Sequence, residues 1–160
     1  MSKICCFTGH RKIDTKYLDE TFRLLKENID LLANDGYEEF RAGGAIGFDA
    51  LAALAVLEVK KKCPNIKLNL MLPCLDQDKY WSSKEKAVYE YIKRNADSIV
   101  YVREKYSANA MRERNRRLVD GSDICIAFLQ RKGSGSSYTC NYANEKKIPV
   151  LNIYKELSKA

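Results

Sequence analysis

Residues 37–72 read YEEFRAGGAIGFDALAALAVLEVKKKCPNIKLNLML. Tyr37–Ala42 has the look of a short strand, and Ile66–Leu72 alternates apolar with polar as a half-buried strand does. Between them, Gly47–Lys62 is dense in Ala and Leu around its whole circumference. That predicts a helix buried on more than one side. Pro64-Asn65 breaks it before the next strand begins. Strand, glycine turn, helix and strand together make a βαβ unit, whose parallel return requires such a crossover.

The same alternation extends in both directions. Upstream, Lys3–Thr8 (KICCFT) is an apolar run ending at Gly9. A helix follows, capped by Asp14 or Thr15, with Leu18, Phe22, Leu25, Ile29 and Leu32 spaced by three and four, and Asn34-Asp35-Gly36 closes it. Downstream, a helix runs from Ser82 or Ser83 through Asn95, then a strand at Ser98–Val102, a basic helix at Asn109–Asp120 and a strand at Asp123–Leu129. A glycine-serine loop, Arg131–Ser137, leads to a helix at Tyr138–Lys147 and a last strand at Pro149–Tyr154. Strands alternating with helices predict an α/β fold: a doubly wound, mostly parallel, Rossmann-like sheet with helices on both faces. No internal repeat and no dividing linker interrupts the pattern, so residues 1–160 read as one domain.

Composition narrows the class further. The chain is 46% hydrophobic and 31% charged, enough apolar matter for a core, which excludes whole-chain disorder. Its longest run free of polar residues, Ala50–Leu57, is far short of the roughly 20 needed to span a bilayer. The four apolar residues Ile4–Phe7 are too few for a secretory signal, and a cytoplasmic location with no membrane partner is expected. Cys5, Cys6, Cys63, Cys74, Cys125 and Cys140 contain no CxxC pair, and the lone His10 cannot complete a zinc set. They read as reduced, buried thiols, and no metal site is expected. Twenty-eight basic residues against 21 acidic give a formal charge of +7, scattered except for Arg112–Arg117. Nucleic acid is therefore a partner to test, although no aromatic residues interleave that basic run.

In doubly wound sheets, ligands bind beyond the carboxyl ends of the strands. At that edge the sequence places Gly9-His10-Arg11 after the first strand, Gly43-Gly44-Ala45-Ile46-Gly47 after the second, and Pro73-Cys74 after the third. The Arg-rich helix follows the fourth strand and Gly133-Ser134-Gly135-Ser136-Ser137 the fifth, while the opposite edge carries plain turns. The two glycine-bearing turns read as two phosphate cradles, since glycines admit a ligand close to the backbone and a helix N-terminus favours an anion. Neither is the dinucleotide GxGxxG, and no Walker lysine follows. Asp49, three residues into its helix, is either a partner of the helix dipole or an acceptor for ribose hydroxyls. Arg11 can grip a phosphate through two N–H groups, and His10 and Asp49 are the candidates for chemistry. In MRERNRR, Arg114 and Asn115 stand on adjacent helix faces, and one or two of these side chains can reach the crevice.

With these pieces in order, the chain resembles the SLOG superfamily, the Rossmann-like group that includes DprA/SMF proteins and LOG-type phosphoribohydrolases. It most resembles the YpsA-like branch of small bacterial and phage proteins. The resemblance rests on CCFTGHR (5–11), RAGGAIGFDALAA (41–53), LMLPCLDQDKYW (70–81), MRERNRRLVDGSD (111–123) and KGSGSSYTCNYA (132–143). It implies a bound nucleotide or nucleotide-derived molecule, ADP-ribose-like, held by Gly9, Arg11, Gly43, Gly44, Gly47, Asp49, Arg114, Asn115, Gly133, Gly135 and Ser136. The LOG-type GGxGTxxE motif departs here: Ser136 stands at its Thr and Thr139 at its Glu, and Glu145 lies well down the helix.

Three readings remain open at this stage. The first is a sensor or sequestering module for a nucleotide signal, with Pro73, Ser134 and Ser137 added to the binding residues. The second is a hydrolase of nucleotide glycosidic or phosphate bonds using Asp49 with His10 or Arg11. The third is a DprA-like single-stranded DNA binder resting on Arg112–Arg117. No cofactor is required by any of them; Mg²⁺ enters only as the companion of a phosphate ligand. A homodimer is the default assembly.

Overall fold

The computed structural model describes residues 3–157. Six strands alternate with six helices: β1 (Lys3–Gly9), α1 (Leu18–Asn34), β2 (Tyr37–Ala42), α2 (Phe48–Lys60), β3 (Lys67–Leu72), α3 (Ser83–Asn95), β4 (Ser98–Tyr101), α4 (Ala108–Val119), β5 (Ile124–Phe128), α5 (Gly135–Glu145), β6 (Val150–Asn152) and α6 (Ile153–Leu157). All strand pairs are parallel, in the order β4-β3-β2-β1-β5-β6. The doubly wound, Rossmann-like fold expected from the sequence is the fold observed. Among the described residues no helix is long and apolar enough to cross a membrane.

Strand alternation divides the core between two faces. Phe7, Phe40, Leu68, Leu70 and Ile126, all fully buried, meet α1 and α2 through Leu25, Ile29 and Val56. On the other face Cys6 and Cys125, register partners on β1 and β5, pack under Leu118 and Val119 of α4 and Ala143 of α5. The thiols there fill space as small hydrophobes, and all six cysteines are free. Arg41, on the same face of β2, donates to the Arg117 and Asp120 carbonyls and so closes the end of α4.

Most boundaries shift from the sequence reading by no more than two residues, and three differ for an identifiable local reason. Asp14 caps a single 3-10 turn, Thr15–Tyr17, and the α-helix proper begins at Leu18. The supposed glycine-serine loop is largely helix: the Ser134 hydroxyl accepts from the Ser137 amide (3.2 Å), so α5 starts at Gly135 and not at Tyr138. The last strand stops at Asn152, whose side chain pairs with both backbone groups of Leu129 (3.0 and 2.9 Å) and accepts from the Tyr154 amide, turning the chain into α6. The start of α3 falls where the sequence reading placed it, with Ser82 and Glu85 forming a capping box.

Strand order runs outward from β1 through β2 and β3 to β4, then returns to place β5 on the other side of β1. The loops after β1 and β5 therefore leave the sheet in opposite directions. Between them opens the crevice where such folds hold ligands.

Candidate functional site

The crevice has a volume of about 240 Å³. From β1 it is walled by Thr8, Gly9, His10 and Arg11, and from the β2–α2 turn by Ala45 and Asp49. Helix α4 contributes Met111, Arg114 and Asn115, and the β5–α5 turn Arg131, Ser134, Gly135 and Ser136. Three guanidiniums against one carboxylate give the crevice an excess of positive charge.

Asp49 and Arg114 form its buried floor, with 6% and 4% of their surfaces exposed. Both reach over Gly43, where any Cβ would collide with the Arg114 guanidinium and press on Asp49 Oδ2. Arg114 Nη1 donates to the Gly43 carbonyl, and its Nε donates to Asn115 Oδ1 at 2.9 Å. Burial pushes the Asp49 carboxyl up to about 6, opposed by the charges of Arg114 and Arg11 and by the Ala45 amide. Burial likewise lowers Arg114, and Asp49 counteracts it. Asp49 Oδ1 has no hydrogen-bond partner, an expensive arrangement unless something else supplies a donor.

His10 has a different part. Its Nε2 accepts from the backbone amides of Gln130 (2.9 Å) and Arg131 (3.3 Å), tying the end of β1 to the loop after β5. Desolvation, then the Arg131 charge, holds the ring below its ordinary range and so neutral. The proton of a neutral ring that accepts at Nε2 sits on Nδ1, which is buried and unpartnered. With its lone pair engaged, His10 anchors a loop and presents an N–H; it is poorly arranged to act as a base.

The two glycine turns are physically unlike. In the β2–α2 turn, a Cβ at Gly44 would run into Leu72, and one at Gly47 into the Arg11 backbone. These glycines exist to let protein meet protein, and the acid Asp49 occupies the helix's first turn. In the β5–α5 turn nothing lies within 4 Å of a Cβ at Gly133 or Gly135. The first turn of α5 carries no acid. Of the two glycine turns read as phosphate cradles, the one at α5 is open and free of acid in its first turn, and the one at α2 is tightly packed and bears Asp49.

Of the residues singled out in the sequence, Gly9, His10, Arg11, Asp49, Arg114, Asn115, Ser134, Gly135 and Ser136 line this crevice. Gly43 lies beneath it and Gly44 and Gly47 behind it. Pro73 is buried and accepts from the Arg103 amide at 3.0 Å, while Gly133 and Ser137 serve the turn and first amides of α5. Thr8, Ala45, Met111 and Arg131 line the crevice without having been singled out. The spacing of Met111 with Arg114 and Asn115, three and four along a helix, was the available signal for one of them. Thr139, at the position of the LOG-type glutamate, is buried and donates to the Gly135 carbonyl (3.0 Å), and Glu145 ends α5 exposed. Among the described residues no three His, Cys, Asp or Glu side chains gather as a metal site.

Comparison with known proteins agrees with this fold. The family described as YspA SLOG matches residues 5–154. The SPbeta prophage-derived protein YoqJ of Bacillus subtilis is 31% identical over 135 residues, covering 77% of this chain and 79% of YoqJ. A UPF0398 protein of Bacillus thuringiensis is 26% identical over 161 residues, covering 95% of this chain and 88% of its own. Among solved structures, DNA processing protein A of Helicobacter pylori, described with a single-stranded DNA binding mode, superimposes with a TM-score of 0.67 at 23% identity over 92% of this chain. DNA processing protein A of Streptococcus pneumoniae gives 0.66 at 18% over 93%. This chain spans 63% and 49% of those two proteins. The structural-genomics target TM1055 gives a TM-score of 0.60 at 15% identity, with 100% of this chain and 82% of that one covered.

Proposed function

The chain belongs to the YspA SLOG family, and from that premise we propose that its crevice binds a nucleotide-derived anion as a sensor or sequestering module. The observation that carries this reading is the pairing of an open α5 N-terminus with an unsatisfied Asp49 across one cationic crevice. A phosphate takes the Gly135 and Ser136 amides with Arg131 beside them. A sugar hydroxyl on the same molecule donates to Asp49 Oδ1, the acceptor that the protein itself leaves without a donor. The cavity of about 240 Å³ suits a sugar phosphate. Mg²⁺ would enter, if at all, with the phosphate.

The binding reading is preferred over turnover because His10 Nε2 is committed to two amides and a threonine replaces the LOG-type carboxylate. One observation favours the hydrolase: an Asp49 carboxyl near 6 is suited to proton transfer at neutral pH. Loss of turnover in Asp49→Asn with the fold intact would establish it.

The test is mass spectrometry of small molecules released by denaturing the purified protein, with Gly135→Asp as control. Gly135 has open space around it, so the variant folds, and its carboxylate occupies the anion seat. A nucleotide released from the wild type and absent from the variant supports the proposal. Equal release from both refutes it. A protein that releases nothing, ignores sugar phosphates and nucleotides, and retains single-stranded DNA with a steep salt dependence would be a nucleic-acid binder instead.

A further inference from the structure

A second cavity lies behind the β2–α2 turn, between α2 and α3, with a volume of about 480 Å³. Its walls are mainly apolar, with Ala50 and Leu51 of α2, Val88 and Ile92 of α3 and Trp81 just ahead of α3, and Lys84 and Glu85 also line it. Trp81 is half-buried, and its ring meets Tyr89 edge-on at 5.1 Å.

Two residues, Arg11 and Ala45, line both this cavity and the anion crevice. The cavities are therefore neighbours across one thin partition, the 43–47 turn. A charged group would lose its hydration among such walls, whereas a flat ring would gain apolar burial and an aromatic contact. At about 480 Å³ the space falls within the usual range of small-molecule pockets.

We propose that this cavity is the seat for the nucleobase of the same ligand whose phosphate sits at α5, with Arg11 at the junction of the two sites. The inference rests on the reading of the crevice as the anion site of a nucleotide-derived ligand, and adds to it where the base of that ligand lies and which residues hold it.

Trp81 is the chain's only tryptophan, so its fluorescence reports on this cavity without interference from another indole. The experiment compares ribose 5-phosphate with AMP, ADP and ADP-ribose, following calorimetric binding and Trp81 emission together. All four probes are expected to bind, but only those carrying adenine should change the emission. Trp81→Leu should weaken the best nucleotide about tenfold and leave ribose 5-phosphate within twofold. Ala50→Phe fills the cavity from α2 while keeping the reporter, and should do the same, which guards against a Trp81 variant that folds poorly. If ribose 5-phosphate binds but no nucleotide perturbs Trp81, or both variants bind nucleotides as the wild type does, the base-site proposal falls and the crevice reading stands. If neither ribose 5-phosphate nor any nucleotide binds, both fall.

Discussion

The β2–α2 and β5–α5 turns sit on either side of one crevice and look alike in sequence, yet they are built in opposite ways. The first is packed so tightly that side chains at Gly43, Gly44 and Gly47 would each overlap protein atoms, and its helix opens with an acid. The second is loose, with open space at Gly133 and Gly135, a serine cap and no acid in its first turn. Glycine in the first turn makes room for neighbouring protein atoms; in the second, Gly133 supplies a positive φ and the space around both glycines is open. A glycine-rich turn before a helix becomes an anion site only when its amides are left free and its first turn uncharged.

Substitutions at the glycines sharpen this contrast most. Gly47→Ala forces a Cβ onto the Arg11 carbonyl at a positive φ of 80°, and should destabilise the protein by about 3 kcal/mol or more in denaturant unfolding. Gly133→Ala also meets a positive φ (82°) but in open space, and should cost only about 1 kcal/mol. Similar losses at the two sites would erase the distinction.

Next in size is Asp49→Asn. In the native state this carboxyl is raised to about 6 from 3.8, so the native state binds the proton more tightly than the unfolded chain does. The wild type therefore loses stability as pH rises from about 4 through 6. The asparagine variant should be more stable at pH 7 by up to about 3 kcal/mol, a gain that disappears below about pH 4. The same variant should bind ligand more weakly. Stability surrendered at a site that gains binding is the pattern expected of function, and a variant that is less stable at pH 7 would make Asp49 a structural ion-pair partner of Arg114.

At α5, Gly135→Asp adds an acid to a helix N-terminus, so thermal unfolding should show no loss and a gain of about 0.5 kcal/mol. Affinity for ribose 5-phosphate should nevertheless fall at least tenfold by calorimetry. Arg131→Ala, which removes an exposed cation at the mouth, should weaken binding severalfold with stability unchanged within about 0.5 kcal/mol, and the loss should shrink at high salt.

How much of this was legible from residues alone follows the range of the forces involved. The fold was legible because apolar spacing and punctuation are local: each strand–helix alternation lies within a few tens of residues, and the order of small and basic residues marked the binding edge. Asp49, Arg114, Asn115 and Ser136, singled out by their positions at that edge, line the crevice. What the sequence concealed was the difference between the two turns. It depends on Phe48 lying over Gly9, Leu72 behind Gly44 and the Arg11 backbone against Gly47, contacts between residues distant in sequence or fixed only by a loop's path. Arg131 looked like scattered surface charge for the same reason. The role of His10 needed the amides of Gln130 and Arg131, some 120 residues away.

The most direct measurement is a ¹⁵N–¹H NMR titration of the wild type with ribose 5-phosphate, reading the backbone amides of both turns in one experiment. The largest shifts should fall on Gly135 and Ser136, with Arg131 close behind and Gly43 and Gly44 little changed. Largest shifts on Gly43, Gly44 and Gly47, with α5 silent, would contradict the assignment of the anion site.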